Sequence, residues 1–399
     1  IGEIARVVHY IRKHLVGRTI KACEPFEDDI VYGKVGTSAQ AFAKATAKRR
    51  VISADQQGKY FYVCFDQPPH AVMHFGMTGW MKFDCEDSAY YKQAKEVDRP
   101  KEPWPPKYAK FLWKCEAETI DGKDREAVEA AFVDARRLAR IRLVDCEADK
   151  IRDASPLKEN GPDPVRDREI VTVEWLSSLL GRKRVPVKAL LLDQANLSGI
   201  GNWVADEVLY QARIHPEQYS NSLSEKQLGD LHEALHSVCT TAVDTLADSK
   251  QFPDTWLMKY RWNKGKAKDA NVLPNGDKIV HLTVGGRTSA IVPARQKKTA
   301  AVAGDVDSSD AQGSKPAKVR KRKVADEDGV DQERESVPAK RAANGRPKAN
   351  AKTNGEMASG AGEADVKVEE KPFKPRAKKS KNSEKQPTAG TRRSTRNRD

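Results

Sequence analysis

From Lys297 to Asp399 the chain carries no Leu, Ile, Trp, Tyr or Cys, and Phe373 is the only aromatic residue there. A segment so poor in large apolar side chains cannot bury enough surface to offset the entropy of ordering its backbone. Folding therefore falls to residues 1–296, a length ample for a hydrophobic core, and 297–399 is expected to be a disordered basic tail. The tail holds 26 Lys and Arg against 16 Asp and Glu, which supplies +10 of the net +14. The first 296 residues hold 45 against 41. Any surface for a polyanion on the folded part must come from clustering, not net charge.

The six cysteines (Cys23, Cys64, Cys85, Cys115, Cys146, Cys239) include no CxxC pair. That argues against a cysteine zinc finger and against a disulfide scaffold, and fits a reducing compartment. No metal and no cofactor are expected. No stretch reaches membrane-span length and no secretory signal opens the chain, so no membrane partner is expected. The first residue is Ile1, not Met, and the expectation is that the true start lies upstream.

Residues 2–16 place Ile4, Val7, Val8, Ile11 and Leu15 at helical spacing. Strand-like runs follow at Arg18–Cys23, Lys59–Phe65, His70–Phe75, Lys110–Lys114, Ala127–Val133 and Leu138–Val144, punctuated by Pro68-Pro69 and Gly76. This predicts an antiparallel β lobe introduced by one helix, with the polar, proline-rich Glu86–Lys107 as a surface loop. A linker around Asn160–Pro164 opens a helical region, with helices over Trp175–Leu180, Lys188–Asp193, Trp203–Ala212 and Ser224–Leu246, the last capped by Ser224. Asn275-Gly276 and Gly285-Gly286 read as hairpin turns. The expected class is α+β and multidomain. Its parts are a β-sandwich lobe (1–150), a helical lobe (151–255), a β-hairpin (256–296) and the tail (297–399).

Four separated motifs carry chemistry: HFGMTG at 74–79, DARRL at 134–138, GIGNWVADEVLYQARIHP at 199–216 and GGRTSAIVP at 285–293. Together and in this order they resemble signatures of the formamidopyrimidine-DNA glycosylase and endonuclease VIII family, most closely its plant and fungal branch. The resemblance spans Ile1 to about Gln296. In the third motif, Gly199 and Gly201 permit backbone paths that a side chain obstructs, and the following helix offers amides to an anion. The resemblance makes it the family's helix–two-turn–helix element, with Asn202 as a phosphate ligand and Lys188 upstream as a phosphate-binding lysine.

A glycosylase removes its target base from the stack, and apolar wedges with an arginine offset that cost. On their own Met77 and Leu138 read as core residues; the resemblance makes Met77, Arg136 and Leu138 the wedge, Leu138 standing where relatives usually have Phe. Lys59 matches a lysine that reaches the phosphate beside the lesion, and His74 falls among the DNA contacts. Arg287, near the tip of the last hairpin, matches an arginine that grips DNA. In many relatives four cysteines bind zinc at this finger. Here no cysteine follows Cys239, which implies the zincless form.

Catalysis in the family begins at an amino-terminal proline followed by glutamate. Aligning Pro-Glu-x-x-Glu makes Glu3 the second acid and puts the proline and first glutamate before Ile1. The implied function is a bifunctional glycosylase and lyase acting by a Schiff base and β,δ-elimination on duplex DNA with oxidised bases or abasic sites, working as a monomer. A scaffold that binds damaged DNA without chemistry is the alternative. Only Ser249–Met258 is left to serve as a lid over the flipped base, which implies weak activity on 8-oxoguanine beside formamidopyrimidines and hydantoins. His232-Glu-Ala-Leu-His236 fits HExxH, yet Leu228, Leu231, Leu235 and Val238 form a buried stripe on the same helix, and an ordinary packing helix is expected. The runs Lys315–Lys323 and Arg392–Arg398 suit nuclear import or non-specific DNA contact.

Overall fold

The computed structural model describes residues 1–89, 103–120, 122–263 and 271–299. Helix α1 (Gly2–His14) buries Ile4, Val7, Val8 and Ile11, with Glu3 in its first turn and Arg12, Lys13 and His14 in its last, charges that suit the helix dipole. Then come β1 (Ala22–Pro25), α2 (Ala39–Thr46), β2 (Val51–Gln57), β3 (Tyr60–Phe65), β4 (His70–His74), β5 (Trp80–Phe83), β6 (Ala109–Cys115), β7 (Glu118–Ile120), β8 (Lys123–Arg125), β9 (Val128–Val133) and β10 (Arg140–Val144).

Two four-stranded antiparallel sheets result, ordered β1-β6-β9-β5 and β10-β4-β3-β2, beside a small β7-β8 ribbon. They stack face to face. Phe61, Phe65 and Met73 from one sheet share a buried cluster with Phe111, Trp113 and Phe132 from the other and with α1. The expected β-sandwich lobe is thus observed.

Several expected boundaries move. In the run Arg18–Cys23 the first residues pair through an isolated bridge of Thr19 with Arg50, and the strand proper begins at Ala22. The last strand starts at Arg140 rather than Leu138, because Asp134 ties up the intervening loop. Among the elements absent from the sequence reading are α2, capped by Ser38, β2, whose burial does not alternate and whose register shifts near Val51, β5 and the β7-β8 ribbon.

The helical region contains α3 (Val173–Gly181), α4 (Val187–Leu191), α5 (Asn202–Gln211) and α6 (Glu225–Asp244). Thr172 caps α3 by accepting from Trp175 N–H, and Ser224 with Gln227 forms a capping box on α6. Strands β11 (Val280–Val284) and β12 (Arg287–Ile291) then pair around Gly285-Gly286, as expected. Among the described residues no helix is long and apolar enough to cross a membrane. The expectations for 90–102 in the surface loop and for 300–399 in the tail lie outside the described residues. Helix α1 joins the lobes, since Ile1 packs in the helical core while Ile4 packs in the sandwich. The linker adds a second tie, Asp163 Oδ2 accepting from Gly58 N–H at 2.8 Å.

Candidate functional site

The two lobes meet around the start of α1. The main-chain nitrogen of Ile1 lies 3.3 Å from the Gly199 carbonyl and 3.4 Å from Glu3 Oε2. Glu3 Oε1 accepts from the Trp203 indole N–H at 2.9 Å, so α5 holds the carboxylate in place. Burial works to raise the Glu3 carboxyl, while the residue's own amide and the Trp203 indole pull it the other way.

The approach of the chains here requires glycine. A Cβ on Gly58 would come within 2.6 Å of Gly199 N, and one on Gly199 within 2.9 Å of Ile1 Cδ1. Both residues also have positive φ, 60° and 90°. Half-buried Lys59 leaves this turn toward Gly201, its Cε 3.9 Å from where a Cβ on that glycine would sit. Glu3, Lys59 and the 199–202 turn, read from distant parts of the sequence, therefore come together.

A second group forms along one edge of the sandwich. Met77 lies in the β4–β5 turn, while Arg136 and Leu138 lie in the β9–β10 loop. Gly76 (φ 62°) lets the two loops touch, since a Cβ there would fall 2.5 Å from the Leu138 carbonyl carbon. Buried Asp134 braces both, accepting from Thr78 Oγ1 at 2.6 Å, Arg136 N–H at 3.1 Å and Ala139 N–H at 2.7 Å. Met77 and Leu138 are half-buried, not core, and Arg136 is exposed. Its neighbour Arg137 is held by Asp28 at 3.0 Å. His74 Nδ1 accepts from Gly76 N–H at 3.0 Å, which fixes the turn behind Met77. Asp134 was visible in DARRL, but nothing in the spacing marked it as the brace.

A third group joins the hairpin to the helices. Asn202, the first residue of α5, donates from Nδ2 to the Thr288 carbonyl at 2.9 Å. Arg287 precedes that residue and opens β12. Lys188 departs from expectation. It is fully buried, with Nζ 2.6 Å from Asp206 Oδ1 and 2.7 Å from Ser289 Oγ. Asp206 satisfies its charge from within, so Lys188 reaches the hairpin and not a surface phosphate.

The Ser249–Met258 segment also departs from expectation. Phe252 and Trp256 pack in the helical core with rings 4.8 Å apart, and Met258 N–H donates to Glu207 at 2.8 Å. It is core packing, not a free lid. In the HExxH helix, His232 and His236 both place Nε2 against the Val171 carbonyl, at 2.9 and 3.0 Å, while Glu233 faces solvent. That is a packing helix, as expected.

Two family models match the chain: the formamidopyrimidine-DNA glycosylase N-terminal domain over residues 1–141 and the H2TH domain of the same glycosylase over residues 160–254. A formamidopyrimidine-DNA glycosylase of Arabidopsis thaliana is 38% identical over 298 residues, covering 74% of this chain and 70% of that protein. The chain belongs to the formamidopyrimidine-DNA glycosylase family. Membership makes it a DNA glycosylase of base excision repair. A glycosylase of Thermomicrobium roseum is 31% identical over 228 residues, 57% of this chain and 70% of that one. The fold matches that of the Lactococcus lactis glycosylase solved non-covalently bound to DNA with an abasic site. The TM-score is 0.57 and the identity 22%, over 75% of this chain and 99% of that one.

Proposed function

We propose that this glycosylase is bifunctional, removing formamidopyrimidines and hydantoins from duplex DNA and cleaving the strand at the resulting abasic site. The observation that carries this reading is the meeting of Glu3, Lys59 and the Gly199–Asn202 turn around the main-chain nitrogen of Ile1. With the family's opening Pro-Glu-x-x-Glu laid on Glu3, a proline and a glutamate would stand directly ahead of Ile1, which would bring the proline amine to this junction. An α-amino group titrates near ~8 against ~10.4 for lysine, so a useful fraction is neutral and nucleophilic at pH 7. The amine attacks C1′, the base departs with a proton, and the Schiff base lowers the barrier to successive loss of the two flanking phosphates.

Glu3 moves protons to and from the opened sugar, and Lys59 draws in the adjacent phosphate. His74, Asn202 and Arg287 are assigned to the DNA backbone. Met77, Arg136 and Leu138 fill the space that the flipped base leaves, Leu138 doing so with less area than the usual Phe. The hairpin works as a zincless finger, the protein acts as a monomer, and the basic runs of the tail direct it to the nucleus.

The test is borohydride trapping on a duplex with a defined lesion. A chain opening Pro-Glu-Ile1 is expected to trap readily, and one opening Ala-Glu-Ile1 far less. Equal trapping by the two would sink the assignment of the nucleophile. Lesion choice gives a second expected result. With Ser249–Met258 packed in the core, few groups remain to hold a flipped base that stacked well in the duplex, whereas helix-distorting lesions cost less to extrude. Single-turnover excision of 8-oxoguanine is therefore expected to be slower than that of hydantoins in matched duplexes, and equal rates would refute the lid argument.

A further inference from the structure

Four chain segments converge on one buried carboxylate that the reaction itself does not use. Asp206 in α5 is 2% exposed. Its Oδ1 is 2.6 Å from Lys188 Nζ in α4, and its Oδ2 is 2.7 Å from Arg261 Nη2, just after the 249–258 segment. The same Oδ2 accepts from Ala290 N–H in β12 at 3.0 Å. Lys188, Arg261 and Asp206 are all buried, so the carboxylate sits between two cations in a place where water cannot compensate them.

The arrangement bears on where the hairpin sits. Its apolar anchorage, Ala290 and Val292 against Tyr210, Leu257, Leu273 and Ile279, lies toward the far end of β12. The near end, Arg287 to Ser289, rests on polar groups. Lys188 Nζ donates to Ser289 Oγ and at 3.3 Å to the Thr288 carbonyl, which Asn202 Nδ2 also reaches. Lys188 can hold that end only while Asp206 holds Lys188. The hairpin carries no cysteine for a metal to cross-link, and Asp206 is the group that ties α4, α5 and β12 in its stead.

We propose that Asp206 is a positioning residue for DNA binding: through Lys188, Arg261 and the Ala290 amide it fixes the near end of the hairpin so that Arg287 and Asn202 address the same stretch of DNA backbone. This rests on the reading of Arg287 as a phosphate contact. The predicted signature is coupling between two residues of which only one touches DNA.

The test is a double-mutant cycle in the full chain, measuring affinity by fluorescence anisotropy for a duplex with an abasic-site analogue across a salt series. Arg287→Ala is expected to weaken binding about tenfold and to reduce the salt slope by about one counterion. Asp206→Asn, nearly isosteric, is expected to do the same, and the double variant to be no weaker than either single within about twofold. Losses that multiply would show that Asp206 acts independently of Arg287 and overturn the proposal while leaving the phosphate contact standing. No loss from Arg287→Ala alone would overturn the contact and the proposal together. Should Asp206→Asn fail to fold, Arg261→Gln leaves the Lys188–Asp206 pair in place. It is expected to give a smaller loss that again merges with that of Arg287→Ala, and multiplying losses there would be equally fatal.

Discussion

Replacing Glu3 with Gln is expected to lower single-turnover excision of a formamidopyrimidine by about 10²- to 10⁴-fold, the usual worth of a positioned proton-transfer group. Affinity for a duplex with an abasic-site analogue should change by less than about threefold, a difference no larger than one weak contact. Gln fills the same volume and keeps an oxygen for the Trp203 indole, which donates to Glu3 Oε1 at 2.9 Å. What it loses is the proton acceptor beside the main-chain nitrogen of Ile1. A variant that excises within threefold of the parent would remove Glu3 from the chemistry.

Much of this was legible in the amino acids because the relevant signals are local. Alternating apolar runs gave most strands of the sandwich, and the glycine pattern before Asn202 placed a turn and a helix start where both are found. Strand β2 hid because its burial does not alternate, and α2 because its eight residues are alanine-rich and its buried stripe, Ala39, Phe42, Ala43 and Thr46, holds only one large apolar side chain. Lys188 was misassigned for a reason no spacing could reveal. Its partner Asp206 lies one turn beyond Asn202 on the same face of α5, and only the packing of α4 against α5 brings the two together. Ser249–Met258 read as a loop since Pro253 interrupts any periodicity, yet Phe252 and Trp256 fill the core between Trp203 and α6. The wedge was the reverse case. Met77 and Leu138 looked like core by residue type, and the turns that carry them keep both half-buried at an edge.

The contribution of Glu207 to stability is expected to fall as pH rises from about 5 to about 7, against the buried His70 and His236, whose lowered pKa values act the other way. Glu207 is fully buried on α5, adjacent to Asp206, and burial pushes its carboxyl from 4.5 up to about 7. Hydrogen bonds from Gln211 and from the Met258 and Leu257 amides pull the other way without prevailing, and the charge of Asp206 adds to the rise. Between 4.5 and about 7 the folded chain holds a proton here that the unfolded chain has released. Its contribution to stability therefore declines with pH across that window and levels off above it. At ~1.4 kcal/mol per unit, the decline is on the order of 3 kcal/mol. Gln imitates the neutral acid, and Gln211 Nε2, now 2.7 Å from the carboxylate, can turn its oxygen to receive the new amide. Glu207→Gln should thus match the parent near pH 5 and exceed it increasingly toward pH 8, by an amount approaching that decline. Urea unfolding of both proteins at half-unit steps from pH 5 to 8 measures the divergence. Curves that run parallel across the range would mean that Glu207 is ionised in the fold throughout, and that the amides of Leu257 and Met258 compensate its burial in full.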